Sequence, residues 1–228
     1  MRCFIVCLLM LVSLGCARTY QAAHVDTSDF LPDYSILRQG DDGDALLSYW
    51  KQGTPWQNYH KIILEPVVMR QLKDSELTGL THVQNYHLRE YVERLLRQAL
   101  KAHFKLVTKP GPGTLRLEIA ITDAETSTMI LDQFSTVYPS ARTLSLVKKW
   151  LTGTESYVGK ASIERKITDS VTGELLMASA DCRAGGKTLA GTFDEWDDVE
   201  QAYIYWAAQL NYQLCIKQGG NACLSPDL

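Results

Sequence analysis

The sequence has no marked excess of charge of either sign. Lysine and arginine number 23, aspartate and glutamate number 26, and the formal net charge is −3 at pH 7. Acidic and basic residues are interspersed, so the chain lacks the basic stripe that binds nucleic acid and any polybasic patch for anionic lipids. We therefore expect no nucleic-acid partner and no recruitment to anionic lipid by charge alone.

Complete motifs for catalysis or cofactor binding are missing as well. Gly186, Lys187 and Thr188 form half of a phosphate-binding loop, but Asp181 stands where that loop needs its first glycine. The acidic run at residues 41–44 lacks the ligand spacing of a calcium loop, and no serine lies in a Gly-x-Ser-x-Gly motif. We expect no nucleotide, no metal and no other cofactor, and the sequence assigns no catalytic residue.

The longest apolar run lies at the start of the chain. Residues 4–14 are almost entirely apolar, Arg2 precedes them, and Gly15 and Cys16 follow. Such a run is too short to span a bilayer stably, and the small Gly15 gives a peptidase access to the next bond. We predict a cleaved signal peptide over residues 1–15 rather than a transmembrane helix.

The end of this run resembles the lipobox of bacterial lipoproteins. Residues 12–16 read VSLGC, and the resemblance implies that Cys16 is diacylated on sulfur, becomes the first residue after cleavage, and is acylated again on nitrogen. Several acyl chains make membrane anchoring effectively permanent. Ala17 stands where an aspartate would imply inner-membrane retention, so the periplasmic leaflet of the outer membrane is favoured. The alternative is an ordinary secretory signal in which Cys16 is merely a small residue near the cut.

Cysteine usage follows from this assignment. The chain has six cysteines, of which two leave with the signal peptide and Cys16 carries lipid. Cys182, Cys215 and Cys223 then face an oxidising compartment, with no Cys-x-x-Cys spacing or nearby histidine to suggest a metal. Cys215 and Cys223 flank a flexible Gly-Gly pair, which favours a disulfide between them, although Cys182 could reach either partner in the fold.

The rest of the chain predicts one α+β domain. Residues 16–28 are polar and aperiodic, which suits a lipidated N-terminus and tether, and residues 29–228 then form the globular domain. The first part of that domain, up to Tyr59, is irregular and aromatic and is expected to wrap over the core. The predicted order is β-α-β-β-α-β-β-α, with a mixed or antiparallel sheet packed by two or three helices.

Hydrophobic periodicity places the individual elements. Helical spacing predicts helices over residues 81–103, 140–151 and 197–217, and extended patterns predict strands over residues 61–69, 104–107, 115–121, 158–169 and 174–180. Alternation over residues 115–121 indicates a half-buried strand with one polar face. The Thr-Gly pair at 172–173 supplies the left-handed residue that an antiparallel hairpin needs.

Some side chains have both a functional and a structural interpretation. The carboxylates of Asp194, Asp197 and Asp198 suit acid–base work, but acidic residues also stabilise the start of a helix, which we favour. Four tryptophans could line a groove for glycan or peptide, although aromatics at these spacings usually belong to a core; they are Trp50, Trp56, Trp196 and Trp206.

Several stretches together resemble domain-of-unknown-function family 3313. They are residues 30–37 (FLPDYSIL), 59–67 (YHKIILEPV), 110–117 (PGPGTLRL), 161–164 (ASIE) and 169–174 (DSVTGE). The resemblance covers nearly all of the chain after the signal peptide and implies a bacterial lipoprotein of one domain. The family has no established activity, so it transfers no catalytic residue and says nothing about cysteine pairing.

Two function classes are compatible with these features. The first is a non-catalytic binding module at the outer membrane, attached through the lipid on Cys16, whose polar sheet face or aromatic N-terminal segment binds an envelope protein or peptidoglycan. The second is a cell-envelope hydrolase or other enzyme whose site residues are too scattered to be recognised in the sequence. The absence of a catalytic constellation favours the first.

Overall fold

Within the part of the chain that the structure describes, nine strands form a mixed sheet at the centre of the protein. The computed structural model describes residues 19–41, 43–72, 76–126, 159–185 and 196–226. The strands are β1 (Thr19–Gln21), β2 (Arg38–Gln39), β3 (Leu47–Trp50), β4 (Lys61–Leu64), β5 (Val68–Met69), β6 (Lys105–Leu106), β7 (Thr114–Glu125), β8 (Lys160–Asp169) and β9 (Leu175–Gly185). Two α-helices belong to the same ranges, α1 (His82–Leu100) and α2 (Asp197–Lys217). The prediction of a single α+β domain is confirmed.

Three long antiparallel strands make the middle of the sheet. The strand order is β2-β3-β9-β8-β7-β4-β6, with β1 beside β9 and β5 beside β7. β4 and β5 run parallel to β7, and β4 runs parallel to β6, whereas the other pairs are antiparallel. Gly173 has a φ of 72° in the turn between β8 and β9, which is the left-handed residue that the sequence predicts there.

Both helices form where the sequence predicts them. The Thr81 hydroxyl accepts a hydrogen bond from the Gln84 backbone, and the Gln84 side chain accepts one from the Thr81 backbone, so a capping box starts α1. α1 buries a stripe at four-residue spacing, Leu88, Val92, Leu96 and Leu100. α2 begins at Asp197, with acidic side chains in its first turn as the helix dipole favours.

The two faces of the sheet are covered differently. The helix face, which carries Arg165 and Asp181, packs against α2 through Trp206 and Gln209. The opposite face, called the outer face below, carries Glu164, and among the described residues it is covered in part by residues 22–37. Arg116 and Glu118 of β7 are half-buried on this face.

The N-terminal part of the chain is more regular than the sequence suggests. Residues 19–28, assigned above to a tether, belong to the folded domain: β1 pairs with β9, and Val25 is buried beside Ala180. β3 also joins the sheet by pairing with β9. Short polar strands such as TYQ carry almost no apolar alternation, and only the neighbouring edge of β9 decides that they are extended.

The predicted strand over residues 61–69 is interrupted at Pro66. β4 ends at Leu64 and β5 starts at Val68, as expected because proline cannot donate to the ladder. The predicted polar face of β7 holds only for Arg116 and Glu118, which are half-buried, whereas the strand is buried on both sides from Ile119 to Ala124. Partners that are distant in sequence cover this second half of β7.

Some predictions lie outside the described residues. They are the signal peptide over residues 1–15, the lipidation site Cys16, the helix over residues 140–151, the Gly186–Lys187–Thr188 turn and Asp194. Within the described ranges, neither helix has the length and apolar composition to cross a bilayer.

Candidate functional site

A groove opens on the outer face where the cover by residues 22–37 ends. It has a volume of about 470 Å³ and is lined by Phe30, Glu65, Pro66, Val68, Arg116, Glu118 and Ile119. Arg116 and Glu118 come from β7, Glu65 follows β4, and Phe30 comes from the aromatic N-terminal segment. The groove therefore joins the two surfaces that the sequence analysis names as binding candidates.

Glu164 holds the N-terminal segment in place beside the groove. Its side chain is fully buried on β8 and accepts hydrogen bonds from the Ser28 backbone at 2.7 Å and from the Tyr34 hydroxyl at 2.7 Å. The same hydroxyl accepts hydrogen bonds from the Phe30 and Leu31 backbones at 3.0 and 3.2 Å. Burial, together with the bond to Glu164, raises the pKa of Tyr34. Phe30 is thus positioned by a network whose centre lies in the sheet.

The charged side chains around the groove are paired. Lys166 lies 3.3 Å from the Glu118 carboxylate, and its ammonium group stands 4.5 Å over the Phe30 ring. Arg116 forms an ion pair with Glu65. These pairs are partly exposed and add little stability, but they give the groove alternating donors and acceptors beside apolar surface. Such a surface suits an extended segment with both polar backbone and apolar side chains.

A second set of polar residues lies buried under the helix face. Asp181 accepts hydrogen bonds from Trp206 Nε1 at 2.7 Å, from the Gln21 side chain at 2.9 Å and from the Leu46 backbone at 3.0 Å. Arg165 is also buried and donates to Ser179 Oγ at 3.0 Å and to Gln209 Oε1 at 3.0 Å. Burial lowers the pKa of Arg165, and the negative charge of Asp181 opposes that shift.

This buried set joins segments far apart in the chain. Asp181 connects β9 with β1, with the residue before β3 and with α2. Its three hydrogen-bond donors are all groups that link elements of the fold, which gives Asp181 a structural role. No single sequence motif identifies this buried set, although adjacent charged residues inside predicted strands, such as Glu164 and Arg165, are an available signal.

One end of the domain gathers the first residues of β1, β8 and α2 and the last residues of β9. We call it the anchor end and define it by Thr19, Gly159, Gly185 and Asp198. Thr19 pairs with Gly185, and the Arg183 guanidinium donates to Thr19 Oγ1 and to its carbonyl oxygen, both at 2.9 Å. Asp198 accepts a hydrogen bond from the Gly159 backbone at 2.9 Å. Burial raises the pKa of Asp198, although this bond opposes the shift.

The remaining predicted site residues are placed as follows. Cys215 and Cys223 form the disulfide that the Gly-Gly spacing favours, and Cys182 is a buried free thiol whose pKa burial raises to about 11. Trp206 belongs to the core, and Trp50 and Trp56 pack edge to face at 5.4 Å. Within the described ranges, no three histidine, cysteine, aspartate or glutamate side chains are grouped as a metal site.

Comparison with solved structures finds folds of low similarity. A PelC dodecamer from Paraburkholderia phytofirmans is 9% identical, with a TM-score of 0.38 over 76% of this chain and 97% of that chain. Protein XCC0632 from Xanthomonas campestris is 10% identical, with a TM-score of 0.40 over 75% and 92%. The hypothetical protein CT253 from Chlamydia trachomatis is 11% identical, with a TM-score of 0.39 over 69% and 99%.

A comparison with curated proteins finds no match. The model of a family described as "Protein of unknown function (DUF3313)" matches residues 26–210, which include every strand from β2 to β9 and most of α2. The chain belongs to the DUF3313 family.

Proposed function

We propose that this protein is a lipid-anchored, non-catalytic module of the bacterial outer membrane that binds an envelope protein through the groove. The observation that carries the proposal is the direct junction between a lipobox and a folded domain: Cys16 ends the lipobox, and β1 starts at Thr19. A permanent acyl anchor so close to the sheet keeps the whole domain beside the membrane. Ala17 supports the outer membrane as the site of anchoring.

The groove supports the binding role. Its apolar part is formed by Phe30, Pro66 and Val68, and its polar part by the ion pairs of Arg116 and Glu118. An envelope protein that presents an extended segment would fill the apolar part and hydrogen-bond to the polar part. Peptidoglycan is the other partner that the sequence analysis names, and it is an outcome of the test below.

The anchor is tested with Cys16→Ser. Without the thiol no diacylation takes place, so we expect a soluble protein that takes up no palmitate analogue, whereas the wild-type chain is labelled and fractionates with the outer membrane. A Cys182→Ser variant is the matched control, because it removes a thiol from the domain and leaves the lipobox intact. Unchanged membrane fractionation of Cys16→Ser would refute the lipid anchor.

The groove is tested by photo-crosslinking in the intact envelope. A photoreactive residue replaces Val68, which lines the groove, or Val171, which lies exposed in the β8–β9 turn and serves as the control. We expect a discrete protein adduct from position 68 only. Adducts that are released by muramidase digestion would show that the partner is peptidoglycan and not a protein. Equal adducts from both positions would show that the groove is not the binding surface.

A further inference from the structure

We infer that the anchor end of the domain lies against the bilayer that holds the Cys16 lipid, with Val83 and Tyr86 of α1 in the headgroup layer. The inference rests on the proposed lipid anchor and adds the orientation of the domain and the surface that contacts the lipid. The occupant of this surface is the membrane itself.

The length of the connection supplies the first argument. Only Ala17 and Arg18 separate Cys16 from Thr19, so three Cα-to-Cα steps span at most about 11 Å. Each headgroup layer of a bilayer is about 5–8 Å deep. With the acyl chains of Cys16 in the hydrocarbon, Thr19 therefore lies in the headgroup layer or directly beside it.

Thr19 cannot swing away from the domain. Its backbone pairs with Gly185, and Arg183 donates to its hydroxyl and carbonyl oxygens at 2.9 Å. The guanidinium of Arg183 is itself held over the Tyr205 ring of α2 at 3.5 Å. A short connection to a fixed strand orients the domain, whereas the same connection to a loose segment would not.

A chain of contacts leads from Thr19 to the start of α1. Gly185 packs directly against the Asp198 side chain in the first turn of α2. Trp196 precedes that turn and lines a cavity of about 370 Å³, whose other wall includes Gln84 and His87 of α1. The first turns of both helices thus lie at the same end of the domain as Thr19.

Two large apolar side chains are exposed at this end. Val83 and Tyr86 are 64% and 50% exposed, and tyrosine is enriched at membrane interfaces because its ring is apolar and its hydroxyl is polar. Exposure alone does not select the end, because Val171 is 62% exposed in the β8–β9 turn at the opposite end. The position of Thr19, close to Cys16 in the chain, determines which end faces the bilayer.

The charges at the anchor end favour a zwitterionic surface. Lys160 pairs with Asp123 at 3.2 Å and with Glu125 at 3.3 Å, so its positive charge is already compensated. Asp197 and Asp198 add negative charge at the start of α2. Phosphatidylethanolamine headgroups are compatible with this surface, and strong attraction to anionic lipid is not expected.

The test measures the depth of single labels in the lipidated, full-length mature protein. Val83→Cys introduces an exposed thiol on α1 at the anchor end, and Val171→Cys introduces a matched one in the β8–β9 turn at the opposite end. The ten residues of β8, which runs between these ends, span about 33 Å. Cys182 is buried and Cys215 is bonded to Cys223, so a thiol-reactive fluorophore labels the introduced site. In phosphatidylethanolamine-rich vesicles containing headgroup spin-labelled lipid, we expect several-fold stronger quenching at position 83 than at position 171. Tyr86→Cys repeats the measurement one turn further along α1.

The outcomes separate the orientation from the anchor. Flotation and palmitate-analogue uptake report whether the chain is anchored, and matching thermal melts show that the labelled variants are folded. If the protein floats but position 171 is quenched as strongly as positions 83 and 86, the orientation is refuted and the anchor stands. If the chain takes up no lipid, both proposals fail.

Discussion

The two ends of this domain are held together by different means. At the anchor end, the contacts join residues far apart in the chain: Arg183 binds Thr19, and Asp198 binds Gly159. At the opposite end, local contacts act beside a long-range one: Asp169 Oδ1 accepts from the Val171 and Thr172 backbones at 2.9 and 2.8 Å, its Oδ2 accepts from the Tyr59 hydroxyl at 2.9 Å, and a disulfide closes residues 215–223. We call this second end the hairpin end.

The difference suggests how an anchored domain is built. Local turns and a short covalent loop form as soon as their own residues come together, and they need nothing from the rest of the chain. The anchor end forms only when β1, β9 and α2 have met, so its integrity reports on the whole fold. The proposed lipid on Cys16 would therefore be attached to the part of the molecule that depends on these long-range contacts.

The largest loss of stability is expected from removing the buried carboxylate of Asp181 under the helix face, and the matched comparison is a carboxylate at the hairpin end. Asp181→Ala leaves Trp206 Nε1 and the Leu46 backbone without an acceptor and leaves Arg165 buried without its compensating charge. We expect the free energy of unfolding to fall by about 3–5 kcal/mol. Asp169→Ala at the hairpin end removes the partly exposed turn bonds and the bond from the Tyr59 hydroxyl, and it should cost about 1–2 kcal/mol. Urea unfolding of the two variants checks this, and equal losses would contradict the comparison.

Loss of the disulfide should weaken only the hairpin end. Replacing both Cys215 and Cys223 by serine frees a loop of sequence separation 8, for which chain entropy gives a loss of about 2–3 kcal/mol. Thermal melts with and without reductant measure it: reductant should lower the melting temperature of the wild-type protein and leave the double variant unchanged. If reductant still lowered the melting temperature of the double variant, the disulfide would have to involve other cysteines.

Two glycine substitutions distinguish the ends by mechanism. A Cβ on Gly185 would lie 2.0 Å from Asp198 Cγ, so Gly185→Ala must displace that side chain and break its bond to Gly159, at a cost of about 1–3 kcal/mol. Gly173 has open space around it but a φ of 72°, so Gly173→Ala costs about 1 kcal/mol through backbone strain. In denaturant unfolding, Asp198→Ala should suppress the first loss and not the second. If Asp198→Ala left both losses of stability unchanged, the side chain of Asp198 would not be what a Cβ at position 185 meets.

The smallest effect is a pH dependence at the anchor end. Burial raises the pKa of Cys182 to about 11, from an unfolded value near 9.0. The folded state therefore holds this proton more tightly, and the stability it contributes is present below pH 9 and is lost between about pH 9 and 11. Between pH 8 and 9.5 the loss is below about 1 kcal/mol. From pH 8 to pH 9.5, the unfolding free energy of the wild type should fall by this amount relative to that of Cys182→Ala. If the two curves of unfolding free energy against pH run parallel, the prediction is contradicted.

Prediction from sequence succeeds where the signal is local. The bounds of α2 follow from acidic residues at its start and an apolar stripe behind them, and the apolar spacing over residues 81–103 predicts α1 to within three residues at each end. β9 runs five residues beyond its predicted end at Ala180 because Asp181 and Arg183 read as polar in the sequence. Their hydrogen-bond partners, which make burial possible, come from β1 and α2 and are not visible locally.

The sequence by itself determined both described helices, the strands from β4 onward, the α+β class and the preference of Cys215 for Cys223, and it predicts the signal and lipobox pattern, because each depends on neighbours within a few residues. Only the tertiary structure decided that the chain enters the sheet at Thr19, that Phe30 meets Arg116 and Glu118 in one groove, and that the first turns of both helices lie at the anchor end. These are facts about residues brought together from distant parts of the chain. Their physical cause is the pairing of strand edges and of buried charges, which depends on the partner as much as on the residue.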